Sequence, residues 1–232
     1  MENVQPSAPM PVEAIGVDAR SRFIARTYNH LFGAILLFVG IEYLLFASGW
    51  AERIASVMLS VNWLFVLGGF VIVSWLASRT AHRSMSRGTQ YAALVGFIVA
   101  EALIFCPLLF IAQHYGKGGV IESAALITLA AFALLTGIAF WTRKDFSFLG
   151  GLLRWGFVIA IVAIVAGVIF GFQLGTWFSV GMVGMAGAAI LYDTSKILHH
   201  YSEDRYVAAA LELFASVALM FWYVLRLVMG RD

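Results

Sequence analysis

Four acidic residues interrupt long apolar segments, and they are the side chains best placed for chemistry. They are Glu42, Glu101, Asp193 and Glu212. An ionised carboxylate near the centre of a bilayer costs at least about 2.5 kcal/mol. Such a residue is therefore kept where it is paired, lines a wet cavity or carries function. Carboxylates at this depth predict cation or proton chemistry.

Asp193 and Glu212 are predicted to face each other. Each lies six residues from the polar loop "HYSEDR", roughly 9 Å below the membrane boundary. Two close carboxylates share a proton or bind a cation, which predicts a pH-gated cation path with transient Ca²⁺ at Asp193. The alternative is that each acid is neutral or satisfied by a backbone or hydroxyl partner. Glu101 is predicted near mid-membrane and Glu42 in the outer third.

The last apolar segment carries a polar stripe. Glu212, Ser216, Tyr223 and Arg226 follow one another at helical spacing, so they share one helix face. A polar stripe on a membrane helix must face protein or water. The last helix is therefore predicted to be central, with Tyr223 and Arg226 as further polar candidates beside the carboxylates.

Composition places the chain among integral membrane proteins. Of its 232 residues 62% are hydrophobic and 12% are charged, whereas a soluble domain is about 25% charged. Residues 1–20 contain Pro, Ser and acidic residues and no apolar core. They are predicted to form a flexible polar tail and not a signal peptide. Residues 21–232 are predicted to form the transmembrane domain.

Seven segments have the length of about 20 residues that a membrane helix needs. The predicted spans are 27–48, 57–78, 90–113, 121–141, 150–172, 175–198 and 206–229. Most Lys and Arg residues fall at one side if the N-terminus is cytoplasmic. An odd number of spans then places the C-terminus outside. A last segment that dips in and returns is the alternative, and the length of 206–229 favours a full span. The expected fold is all-α and polytopic.

Small residues predict where Asp193 points. Ala186 and Ala189 lie on its helix face, and membrane helices associate through such residues. Asp193 should therefore project into the bundle and away from lipid.

Motifs for other functions are missing. The sequence has no intramembrane protease signature, zinc motif, P-loop or dinucleotide fingerprint. The five histidines lie at span ends, so no enzyme, resident metal or cofactor is expected. The basic loop "SRTAHRSMSR" follows from the positive-inside rule, so no nucleic-acid partner is expected. A small-solute transporter is a weaker alternative, because no inverted repeat is visible.

Four stretches resemble one family. "TRKDFSFLGGLL" (142–153) and "AILYDTSKILHH" (189–200) are specific, and "YVAAALELFASVALMFWYVLRLV" and "TYNHLFGAILL" support them. Together they resemble the Bax inhibitor family over residues 22–232, in its bacterial YccA-like branch.

The resemblance implies seven helices with the last surrounded by the other six, in a bacterial inner membrane. It implies a Ca²⁺ leak gated by two aspartates, of which Asp193 matches the first. The second position falls on Ser216, so this chain departs from that pair, and Glu212 one turn earlier is our candidate replacement. For the YccA-like branch it implies modulation of the membrane protease FtsH. The expected partners are thus lipid, Ca²⁺ or H⁺, and an FtsH-type protease.

Overall fold

The computed structural model describes residues 11–14, 16–84, 86–116 and 118–230, and within these ranges the chain is all-α. It forms α1 (Val17–Ala47), α2 (Trp50–Ser60), α3 (Trp63–Arg83), α4 (Arg87–Tyr115), α5 (Val120–Thr142), α6 (Leu149–Phe170), α7 (Gly175–His199) and α8 (Tyr206–Met229). All but α2 are long and apolar enough to cross a membrane. The prediction of an all-α protein with seven spans is confirmed.

The second predicted span, 57–78, is misplaced because it merges two helices. α1 ends in a turn at Gly49, whose φ of 76° suits glycine. The short helix α2 then packs Ala51 and Ala55 inward against α4. Asn62 caps the next helix, where its side-chain oxygen accepts a hydrogen bond from the Leu64 N–H at 3.0 Å. The true span α3 therefore begins at Trp63.

Helix α8 is the centre of the bundle. Most of its residues are buried, and it packs against α1, α3, α4, α5 and α7. Its first turns carry Ala208, Ala209 and Ala210, all fully buried, and such small residues let neighbouring helices approach closely. The predicted central position of the last helix is confirmed. Because α8 is one continuous helix, the dip-and-return alternative does not apply.

The segment before α1 packs onto the bundle. Val12 is fully buried, and its N–H donates to the Tyr201 carbonyl at 2.8 Å. α1 already begins at Val17, inside the predicted tail. The buried Val12 side chain and this backbone hydrogen bond together hold the segment before α1 against the bundle. Residues 1–10 lie outside the described residues.

The bundle has two ends that matter for function. The loops 143–148 and 200–205 meet at one, which we call the Asp145 end. The α6–α7 loop and the last turn of α8 lie at the other, which we call the Arg226 end.

Candidate functional site

Asp193 lies inside the bundle, as its small-residue face predicted. The residue is buried, with 6% of its surface exposed. The Ser216 hydroxyl on α8 donates to Asp193 Oδ2 at 2.5 Å. The position at which the family resemblance expects a second aspartate is thus the direct partner of Asp193, as a hydroxyl.

Glu212 forms a second cluster, nearer the Asp145 end. Its carboxylate accepts hydrogen bonds from Lys196 Nζ at 2.6 Å and from the Tyr201 hydroxyl at 2.5 Å. His82 Nε2 lies 3.0 Å from its other oxygen. The Glu212 and Lys196 side chains are 22% and 23% exposed. The ion pair is therefore only partly solvated, which strengthens it.

Tyr201 is the part of this cluster that lies outside the spans. Burial first, and then the neighbouring Glu212 carboxylate, holds the pKa of Tyr201 well above its usual value. Its phenol therefore stays protonated at neutral pH and remains a hydrogen-bond donor to Glu212.

Asp193 and Glu212, which the sequence predicts to face each other, each have a direct hydrogen-bond partner on the opposite helix, and these two pairs are offset by one helical turn. Asp193 meets Ser216, and Lys196 meets Glu212. Ser216 lies one turn further along α8 than Glu212, so the hydrogen-bonded register of α7 and α8 is shifted by about one turn along the helix axes relative to equal distances from the loop. Lys196 is within electrostatic reach of both carboxyl groups, so it links the two pairs.

The loop between α5 and α6 is fixed to α7 at the same end. Asp145 accepts from the Ser147 N–H at 2.9 Å and lies 3.0 Å from His200 Nε2. The Ser147 N–H and then His200 lower the pKa of the Asp145 carboxyl. Ser195 donates to Asp145 at 3.2 Å and accepts from the Phe146 N–H at 2.8 Å. The loop that contains the motif "TRKDFSFLGGLL" is thus hydrogen-bonded to Ser195, which follows Asp193 by two residues on α7.

A cavity of about 660 Å³ reaches the site from the Arg226 end. We call it the α3/α6 cavity, since α3, α4, α6 and α8 form its walls. Its polar lining includes Ser74, Glu101, Gln173, Ser216, Tyr223 and Arg226. Glu101 is 6% exposed and Tyr223 is 5% exposed, while Arg226 is exposed. Three predicted polar residues of α8 therefore share one cavity with Glu101.

Glu42 does not join this group. It lines a different cavity, with walls from α1, α4, α5 and α8. The predicted candidates thus divide between two sides of the central helix.

Sequence reasoning missed three members of the Glu212 cluster. Lys196 follows Asp193 by three residues and so shares its helix face, a signal that was available. His82 lies in the last turn of α3, and Tyr201 lies in the loop before α8. Only the folded arrangement places these two beside Glu212.

The chemistry available here is that of oxygen ligands and protons. A carboxylate and a hydroxyl suit Ca²⁺, but a resident Ca²⁺ site uses about six to eight oxygens. Among the residues that the structure describes, no three His, Cys, Asp or Glu side chains converge as a metal site would require.

Comparisons with known proteins agree with the architecture. A family model described as "Inhibitor of apoptosis-promoting Bax1" matches residues 20–232. An uncharacterised protein of Pseudomonas aeruginosa is 36% identical over 177 residues, which are 74% of this chain and 77% of the relative.

Two relatives carry functional names. The "Modulator of FtsH protease YccA" of Escherichia coli is 29% identical over 71% of this chain and 74% of the relative. The "Bax inhibitor 1" of Schizosaccharomyces pombe is 29% identical over 94% of this chain and 80% of the relative. The family model spans nearly the whole transmembrane bundle. The chain therefore belongs to the Bax inhibitor family and is an integral membrane protein with seven membrane-spanning helices.

Proposed function

We propose that the chain is a pH-sensitive cation leak whose route follows α8, with Ca²⁺ as the cation of interest. One observation carries the proposal. Ser216 lines the α3/α6 cavity and also donates a hydrogen bond to Asp193. A single side chain thus joins a cavity at one end of the bundle to the buried carboxyl group.

The route continues on the other side of Asp193. Lys196 lies near both Asp193 and Glu212, and the Glu212 cluster leads towards the Asp145 end. Buried ionisable groups inside a membrane bundle mark ion and proton paths. In the proposal, Asp193 attracts the cation and the Lys196–Glu212 pair controls its exit.

The groups that face the two carboxylates make the route sensitive to pH. They come from α1, α3, α7 and the loop before α8: Tyr28, His82, Lys196 and Tyr201. Protonation of Asp193 would remove the charge that attracts the cation. We therefore expect the flux to fall as the pH is lowered.

The orientation is part of the same proposal. The bias of Lys and Arg places the Asp145 end in the cytoplasm and the Arg226 end outside. A relative from another Escherichia coli strain is named "Inner membrane protein YccA", which supports a bacterial inner membrane as the location. The α3/α6 cavity would then open towards the outside.

Ser216→Ala is expected to lower Ca²⁺ flux into proteoliposomes several-fold, because it removes the polar link between cavity and carboxyl group. Ser74→Ala is the matched control. Ser74 lines the same cavity but its hydroxyl has no hydrogen-bond partner in the described chain. Equal flux in the two variants would contradict the role of Ser216. Wild-type flux no greater than that of protein-free vesicles would contradict the leak.

A second function, modulation of an FtsH-type protease, is favoured by the name of the Escherichia coli relative. We infer that residues 1–10, next to the packed Val12, would be the segment engaged. Deletion of 1–10 leaves Val12 and α1 in place, so it is a cleaner truncation than removal of 1–20. We expect co-purification with the protease to weaken in this deletion. No association of the full chain would exclude the role.

A further inference from the structure

A second cavity lies on the side of α8 opposite the α3/α6 cavity. Its volume is about 870 Å³, within the range of pockets for small organic molecules. α1, α4 and α5 form its walls with α8 as the floor, and we call it the Glu42 cavity. Phe38, Phe105, Phe214 and Phe221 contribute aromatic rings to its apolar lining.

Two buried polar groups in this cavity lack partners. Glu42 is 7% exposed and Thr128 is 2% exposed. Neither oxygen of the Glu42 carboxyl group, nor the Thr128 hydroxyl, has a hydrogen-bond partner in the described part of the chain. An unmade hydrogen bond at a buried group is costly, and the cost is greater inside a membrane. Both groups would gain from a ligand that carries hydrogen-bond donors.

The acidic side chains that line the cavity favour a positively charged ligand. Glu122, His114 and Tyr43 also line it, and neither Lys nor Arg is among the described residues that do. An inorganic divalent cation would need about six to eight oxygens, far more than Glu42 and Thr128 supply. An ammonium group needs only a few acceptors, and aromatic walls attract cations through their faces.

The mouth of the cavity indicates an amphiphilic ligand. Val39, Tyr43 and Leu129 line it and are 54%, 71% and 47% exposed. They lie on α1 and α5 within the membrane-spanning segments, so the cavity opens sideways towards lipid. A molecule that partitions into the bilayer reaches Glu42 by this opening without crossing the polar loops.

We propose that the Glu42 cavity binds amphiphilic primary or secondary ammonium compounds. The ammonium N–H groups donate to the Glu42 carboxylate and the Thr128 hydroxyl, and the apolar body packs against the phenylalanines. The site lies apart from Asp193 and does not depend on the proposed leak.

Binding of radiolabelled 4-phenylbutylamine to the full chain in lipid nanodiscs tests this proposal. Saturable binding above that of empty nanodiscs is expected, and the neutral isostere 4-phenylbutanol should compete at least tenfold less well. Glu42→Gln should weaken binding at least about tenfold, because the ion pair between the ligand ammonium and the Glu42 carboxylate is lost. Thr128→Val should weaken it by a smaller factor.

Glu101→Gln is the matched control, because Glu101 is equally buried and lines the α3/α6 cavity. It should bind the amine as the wild type does. Absence of saturable binding, or equal affinity in Glu42→Gln and wild type, would overturn the proposal.

Protection from a carbodiimide covers the case in which Glu42→Gln fails to fold. Dicyclohexylcarbodiimide modifies carboxyl groups in apolar surroundings, and mass spectrometry locates the adduct. A primary amine can also attack the activated carboxyl group and form an amide with release of the urea, so modification is counted as the sum of carbodiimide adduct and amide. In the wild-type protein, 4-phenylbutylamine should slow this total modification of Glu42 several-fold and leave that of Glu101 unaffected. Equal protection of both residues would overturn the proposal.

Discussion

Glu212→Gln is expected to lower the free energy of unfolding by about 2–3 kcal/mol, the largest stability change that we predict for this chain. Removing one partner of a fully buried ion pair costs about 3–5 kcal/mol, and about a fifth of each side chain remains exposed in this pair. The amide cannot neutralise Lys196, which would then lie between the rings of Tyr192 and Tyr201 without its hydrogen-bonded counter-charge. For a chain of this size the expected fall in melting temperature is roughly 5–10 °C.

The sole cysteine supplies the measurement. Cys106 is buried, so a maleimide dye reports its exposure as the protein unfolds in detergent. Lys196→Met in the Glu212→Gln background should recover part of the loss, because it removes the unpaired cation. Glu101→Gln, which changes a buried carboxyl group outside the Glu212 cluster, is the control and should leave the melting temperature nearly unchanged. An equal shift in Glu101→Gln and Glu212→Gln would contradict the Glu212 cluster.

The sequence was most informative where polarity changes sharply. The bounds of α8 were predicted correctly because the polar loop "HYSEDR" precedes it and Gly230 follows it. The inward direction of Asp193 followed from Ala186 and Ala189, whose helix face is buried. Membership of the family followed from two specific motifs, "TRKDFSFLGGLL" and "AILYDTSKILHH", and the family match confirms it.

The rest depended on contacts between helices. The partner of Glu212 is Lys196 and the partner of Asp193 is Ser216, one turn away from the predicted pairing. That offset is a shift along the helix axes that the close packing of α7 on α8 sets, and no local sequence pattern encodes it. His82 reaches the cluster from α3, far away in sequence. The division between α2 and α3 was missed because Asn62 caps α3 within an otherwise apolar run.

Asp193→Asn is the variant with the largest expected effect on transport. Asparagine keeps the shape of the side chain and its contact with Ser216, so the α7–α8 packing should survive. It removes the charge, however, and one unit charge at about 4 Å is worth about 4 kcal/mol at an effective dielectric constant of about 20. If only a third of that energy is lost at the highest barrier to cation passage, the rate of flux falls about tenfold. A neutral group at this position also resembles the protonated acid.

Ca²⁺ flux into proteoliposomes, measured over a pH series for the wild type and Asp193→Asn, tests the central claim most directly. The proposal predicts wild-type flux that falls as the pH is lowered. It also predicts that Asp193→Asn lowers the flux at least about tenfold at alkaline pH and removes most of the pH dependence. Flux with the same magnitude and pH profile in both proteins would contradict a route through Asp193.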